Sequence, residues 1–180
     1  MSTHLKPPVS EKDHIHGNHN APIELVEYGD YQCPHCGRAY PVIKRIQKRL
    51  GEKLKFVFRN FPLSEIHPDA FNAALAAEAA ALQKKFWEMH DIIFENQQSL
   101  ETESLLLYAK EIGLNMAQFT KDIQKDELVT KVENDLESGI RSGVNGTPSF
   151  FVNGKKYDGD WEEEEFISYL REFLKLADKH

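Results

Sequence analysis

Strand-like and helix-like patterns in this chain of 180 residues do not intermingle; they come in blocks, and the order of the blocks limits the fold. Residues 23–28 (IELVEY) form a short β-branched and aromatic run ended by Gly29-Asp30, which reads as a strand. Apolar residues then recur at helical spacing (Tyr40, Ile43, Ile46, Leu50) up to Gly51, with Pro41 inside the helix as an expected kink. Residues 54–59 alternate as a second strand, closed by Phe61-Pro62. From Ser64 to about Gly143 every periodic segment is helical: 69–82, 86–97, 101–112, 116–125 and 127–141. Strand signals return at 149–152, and Asn153-Gly154 leading into 155–157 is a hairpin cue. Asp160 is then placed to cap a last helix through Leu176, whose run Glu162 to Glu165 fills the first turn, where carboxylates suit the dipole.

The pattern predicts an α/β fold in which an α-helical domain is inserted between the second and third strands. The expected boundaries are an N-terminal flexible arm over 1–20, a small α/β domain from 21–62 and 144–180, and a helical insertion over 63–143. No segment repeats with a period of 20–50 residues.

Only two cysteines are present, three positions apart in Tyr31-Gln32-Cys33-Pro34-His35-Cys36-Gly37. A bridge across so small a loop removes little entropy from the unfolded chain, so it is a poor staple. It is better suited to cycling between dithiol and disulfide. The pair falls where a strand feeds a helix, with Cys33 at or near the N-cap and Pro34 at the first helical position, which proline tolerates. Backbone N–H groups and the dipole there favour a thiolate at Cys33, the attacking species in disulfide exchange. Cys36, one turn later, is placed to resolve a mixed disulfide, and a protonated His35 would add to the stabilisation. Two bland readings compete: a structural zinc site, which would need two ligands from among His14, His16, His19, His67 and His90, or a pair of inert buried thiols.

Bulk properties narrow the partners. With 29 acidic against 22 basic side chains the formal charge is −7, which argues against a nucleic-acid backbone as ligand. No run approaches the roughly 18 apolar residues of a membrane helix, so membrane insertion is not expected. The first twenty residues are polar and histidine-rich, without the apolar stretch of a secretory signal. The location expected on this basis is cytoplasmic, or periplasmic or otherwise extracytoplasmic if a leader has been removed.

Gly146-Thr147-Pro148-Ser149-Phe150 sets a proline at the head of an apolar strand, compatible with a cis peptide. Together with Cys33-Pro34-His35-Cys36, with Pro41 five residues after the second cysteine, and with the helical insertion, this loop makes the chain resemble the DsbA-like thiol–disulfide oxidoreductases. Those proteins have a thioredoxin fold with a helical insertion, and the match covers about 23–176. The resemblance implies that Cys33 is an exposed nucleophile and Cys36 a buried resolving thiol. It implies that Thr147 and Pro148 face the disulfide and, with Pro34, meet the substrate peptide. It also matches Glu27, six positions before Cys33, to an acidic residue the family often keeps. A carboxylate beside Ile23 and Leu25 on a strand is costly to bury, which would suit a proton shuttle for Cys36.

The expected function is therefore exchange of disulfides with cysteines of protein substrates, by a monomer without cofactor or bound metal, recycled by a redox partner that the sequence does not identify. The expected catalytic set is Cys33, Cys36, His35, Pro148 and Glu27. Two alternatives stand beside it: a glutathione-linked transferase or isomerase on the same fold, and a non-catalytic metal- or peptide-binding module. The motif also predicts a couple more oxidising than thioredoxin.

Overall fold

The structure, a computed structural model, describes residues 4–177. Its contacts divide the chain into two compact units. The first comprises the residues up to Tyr28, Arg38–Arg59 and those from Ser138 onward; the second comprises Gly29–Gly37 and Asn60–Glu137. The cysteine-bearing segment thus groups with the helices rather than with the strands.

The first unit is built on a five-stranded sheet in the order β1-β3-β2-β4-β5, with β1 His14–Gly17, β2 Ile23–Gly29, β3 Leu54–Asn60, β4 Ser149–Val152 and β5 Lys155–Tyr157. β1 is antiparallel to β3 (Ile15 opposite Val57), β4 to β2 (Phe150 opposite Glu27) and β5 to β4. The hairpin turn is the one its sequence dictates: Asn153 and Gly154 take φ of 48° and 85°, a conformation glycine adopts freely and asparagine tolerates. β4 lies inside the sheet, so Phe150 and Phe151, on opposite faces, are both buried. Phe150 packs edge-on against Phe166 and Phe151 against Tyr28.

Helix α1 (Pro34–Leu50) passes from the second unit into the first and carries Pro41 without a break. Its distal half is tied to the C-terminal helix α7 (Glu163–Ala177), because Arg45 and Arg49 bond Glu163 and Arg49 also bonds Glu164. Hydrogen bonds from Arg45 and Arg49 hold the Glu163 carboxyl below the usual carboxylate range. The acidic run at 162–165 is thus partly an ion-pair surface. The cap is Glu162 rather than Asp160: its carboxylate accepts from the N–H groups of Glu164 and Glu165, while Asp160 accepts from Glu162 N–H.

The expected arm contains a strand instead. β1 adds to the sheet edge, Leu5 is buried and its N–H donates to Gly154 O at 2.8 Å. Arg59 anchors the segment: its guanidinium bonds Asp13 twice, at 2.8 and 3.0 Å, and reaches Pro7 O and the Tyr28 hydroxyl. Residues 1–3 of the arm lie outside the described residues.

The second unit holds α2 (Ala70–Ala81), α3 (Phe86–Glu95), α4 (Thr102–Glu111), α5 (Met116–Asp122) and most of α6 (Asp126–Arg141). These helices occupy the interval between β3 and β4, which are the second and third strands of the sequence reading. α2 is packed against α3, α4 and α5. Its alanines are buried around most of its circumference, since small side chains let neighbours close in on every side. Glu78, also buried, joins Asp135 around the Asn60 amide, whose Nδ2 donates to both at 2.9 Å. Lys131 pairs with Asp135 from one turn away. Among the described residues no helix is long and apolar enough to cross a membrane.

Candidate active site

The turn between β2 and α1 is assembled around one buried carboxylate. Asp30 accepts through Oδ1 from Gln32 N–H at 2.7 Å and Cys33 N–H at 3.1 Å, a side chain folded onto the backbone two and three residues ahead. Its carbonyl also accepts from Cys33 N–H at 3.1 Å, closing the turn. Through Oδ2 it takes Leu63 N–H at 2.9 Å and His67 Nδ1 at 2.7 Å. The Asp30 side chain is fully buried.

This turn delivers Cys33 to the start of α1. The first helical hydrogen bond is Gly37 N–H to Cys33 O at 3.0 Å, so Cys33 is the N-cap and Pro34 the first helical residue, where its missing N–H costs nothing. Cys36 lies three residues on, and Asp30 N–H points at its Sγ from 3.5 Å. Both cysteines are thiols. Pro34 and His35 are exposed. Cys33 is the more accessible sulfur-bearing residue, but at 4% exposure against 0% for Cys36 it is recessed rather than exposed.

Two further residues fix the turn. Gln97, just past α3, donates through Nε2 to Tyr31 O at 2.8 Å and Cys33 O at 2.9 Å. It fits only because residue 37 is glycine: a Cβ there would lie 2.7 Å from Gln97 Cδ and closer still to Oε1. Tyr31 is buried, with its hydroxyl 2.9 Å from His90 Nδ1 and its ring against Phe94. Phe86, Trp87 and Phe94 surround the His90 ring, so this aromatic set is an anchor for the residue two before Cys33. His67 and His90, weighed from the sequence as zinc ligands, are engaged here with Asp30 and Tyr31. Among the described residues no group of three or more His, Cys, Asp or Glu side chains is placed to hold a metal ion.

The remaining expected residues belong to the first unit. Glu27 is 3% exposed on a central strand, not at a sheet edge. The Thr147–Pro148 peptide is cis, immediately before β4.

A family model described as Thioredoxin matches residues 9–172. The chain belongs to the thioredoxin family. Its fold is the thioredoxin-like α/β fold with inserted helices, as the sequence resemblance implied. A thioredoxin-like oxidoreductase from Silicibacter pomeroyi DSS-3 superposes with a TM-score of 0.80 at 26% identity, covering 95% of each chain. The thiol-disulfide exchange protein alpha-DsbA2 from Wolbachia pipientis gives 0.81 at 23% identity, covering 91% of this chain and 88% of its own, so the DsbA-like fold is shared. Among curated proteins, the Na(+)/H(+) antiporter NhaA 1 of Mycobacterium sp. (strain KMS) is 42% identical over 170 residues, which are 93% of this chain. The chain spans only 28% of that relative's length.

Asp30, Tyr31, Gln97 and Gly37 were not singled out from the sequence. An aspartate followed by a turn is a recognisable side-chain-to-backbone signal, and a glycine four residues into a helix asks for a packing reason. The partners themselves, 33 to 66 positions away, leave no local trace.

Proposed function

We propose that this thioredoxin-family chain is a thiol–disulfide oxidoreductase that exchanges disulfides with cysteines of protein substrates through Cys33 and Cys36. The observation that carries the reading is the placement of the pair: Cys33 caps α1, and Cys36 sits one turn inside with a backbone N–H aimed at its sulfur. In the oxidising direction a substrate thiolate attacks Cys33 Sγ of the disulfide form. The bond to Cys36 breaks and its electron pair leaves on Cys36. A second substrate thiolate then attacks the substrate sulfur of the mixed disulfide, and Cys33 leaves as thiolate. The substrate gives up two electrons and the pair gains them.

In this reading His35 supports the Cys33 thiolate. Pro34, Thr147 and Pro148 offer backbone and apolar surface to an extended peptide, which favours broad protein substrates over a sequence preference. Glu27 exchanges a proton with Cys36, a role its burial on a central strand supports. Two cysteines at one site also count against a glutathione-linked transferase, which has no use for a resolving thiol.

Insulin reduction by dithiothreitol and oxidation of a dithiol peptide test the proposal. Catalysis that disappears in Cys33→Ser supports it. Wild-type rates equal to the uncatalysed reactions in both assays would refute it.

A further inference from the structure

The helix terminus whose field favours a thiolate at Cys33 already holds a negative charge. Asp30 accepts three backbone N–H groups, those of Gln32 and Cys33 on Oδ1 and that of Leu63 on Oδ2, and His67 Nδ1 lies 2.7 Å from Oδ2, a set that suits an acceptor-only carboxylate. One of those donors is Cys33 N–H itself, at 3.1 Å, and the Asp30 backbone touches Cys36 Sγ. The side chain is buried, so water screens little of its charge. The other ionisable groups around this turn are Tyr31, paired with His90, His35, exposed on α1, and Asp69, which is occupied with Gln32.

We propose that Asp30 is a positioning residue that also sets the redox poise: its buried carboxylate opposes thiolate formation at the pair, and His67 tempers that opposition. The inference rests on the reading of Cys33 and Cys36 as a redox couple. A like charge nearby disfavours ionisation, so Asp30 destabilises the reduced form, with its thiolate at Cys33, relative to the disulfide. A less stable reduced form makes the disulfide a weaker oxidant. The Cys-Pro-His-Cys wording alone therefore overstates the oxidising power of this chain. His67 works the other way, because a donor on Oδ2 withdraws part of the charge that would act on the sulfurs.

The two side chains predict shifts of opposite sign. Asp30→Asn keeps an oxygen for Gln32 and Cys33 N–H while removing the charge. Equilibration with glutathione should then show the couple more oxidising, by about tenfold in its equilibrium constant, or about 30 mV. The thiolate absorbance of Cys33 should rise at lower pH than in wild type. His67→Ala should move both readouts the opposite way, towards a more reducing couple. A role confined to holding the turn would lower thermal stability in both variants without this reversal of sign. If Asp30→Asn leaves the potential unchanged or makes it more reducing, the proposal is overturned. If Asp30→Asn does not fold, His67→Ala decides alone, and an unchanged or more oxidising couple overturns it. Absence of insulin reduction by wild type would count against the oxidoreductase reading, whereas the potential and the thiolate titration test Asp30 independently of turnover.

Discussion

Gly37 and Gln97 offer a test of the site's architecture with a sign that depends on context. Replacing glycine by alanine inside a helix ordinarily stabilises it by up to about 1 kcal/mol. At Gly37 the added methyl would sit 2.7 Å from Gln97 Cδ, so Gln97 must swing away. That movement breaks its bonds to Tyr31 O and Cys33 O, at 2.8 and 2.9 Å. Two such bonds contribute about 2 kcal/mol together, at roughly 1 kcal/mol each. Gly37→Ala should therefore destabilise the chain by about 1 kcal/mol net. In a Gln97→Ala background the obstacle and the two bonds are already gone, and the same change should stabilise by up to about 1 kcal/mol. Urea melts of the four proteins give the coupling energy directly, expected near 2 kcal/mol. One of the two carbonyls that lose Gln97 in Gly37→Ala belongs to Cys33, so the rate of mixed-disulfide formation should fall in step. Equal stabilisation in both backgrounds would show that Gln97 does not clamp the turn, and the reasoning would fail.

The cysteines should differ in reactivity: alkylation of the reduced protein, read by mass spectrometry, should label Cys33 before Cys36, which is 0% exposed. Offered a disulfide substrate, Cys36→Ser should accumulate mixed disulfides at Cys33, visible on non-reducing gels, because in the reducing direction no thiol remains at position 36 to attack the mixed disulfide and release the reduced product. Asp13→Ala leaves the Arg59 guanidinium buried without its carboxylate, which costs about 3–5 kcal/mol and should appear as a lower urea midpoint. Burial pushes the Asp135 carboxyl up against the pull of Lys131, so the folded state holds a proton the unfolded state releases. That contribution is fully present below the ordinary carboxylate value and is lost as pH rises through the raised folded value; the stability of wild type relative to Asp135→Asn should thus fall as the pH of denaturant melts is raised from acid.

What could be read from the sequence follows the range of the interaction that fixes each feature. The hairpin at Asn153-Gly154 needs only its own two residues to take positive φ, and the helices of the insertion need only a period, so both are written locally. β1 is different. HIHG is too short and too polar to announce a strand, and what fastens the segment is Arg59, 46 positions away. Its composition therefore reads as an arm, although Leu5 is buried. The same logic divides the site. Cys33, Pro34 and Cys36 declare their chemistry by spacing, because the reaction itself demands that spacing. Asp30 declares a turn but not its hold on Leu63 and His67, and Gln97 declares nothing, because those bonds exist only once the chain has folded. A motif thus reports which atoms react, while the energy of the reacting state is set by residues the motif does not contain. For this chain the difference has a sign: Cys33 at a helix terminus argues for a strong oxidant, and a buried carboxylate 3.1 Å from its N–H argues for a weaker one.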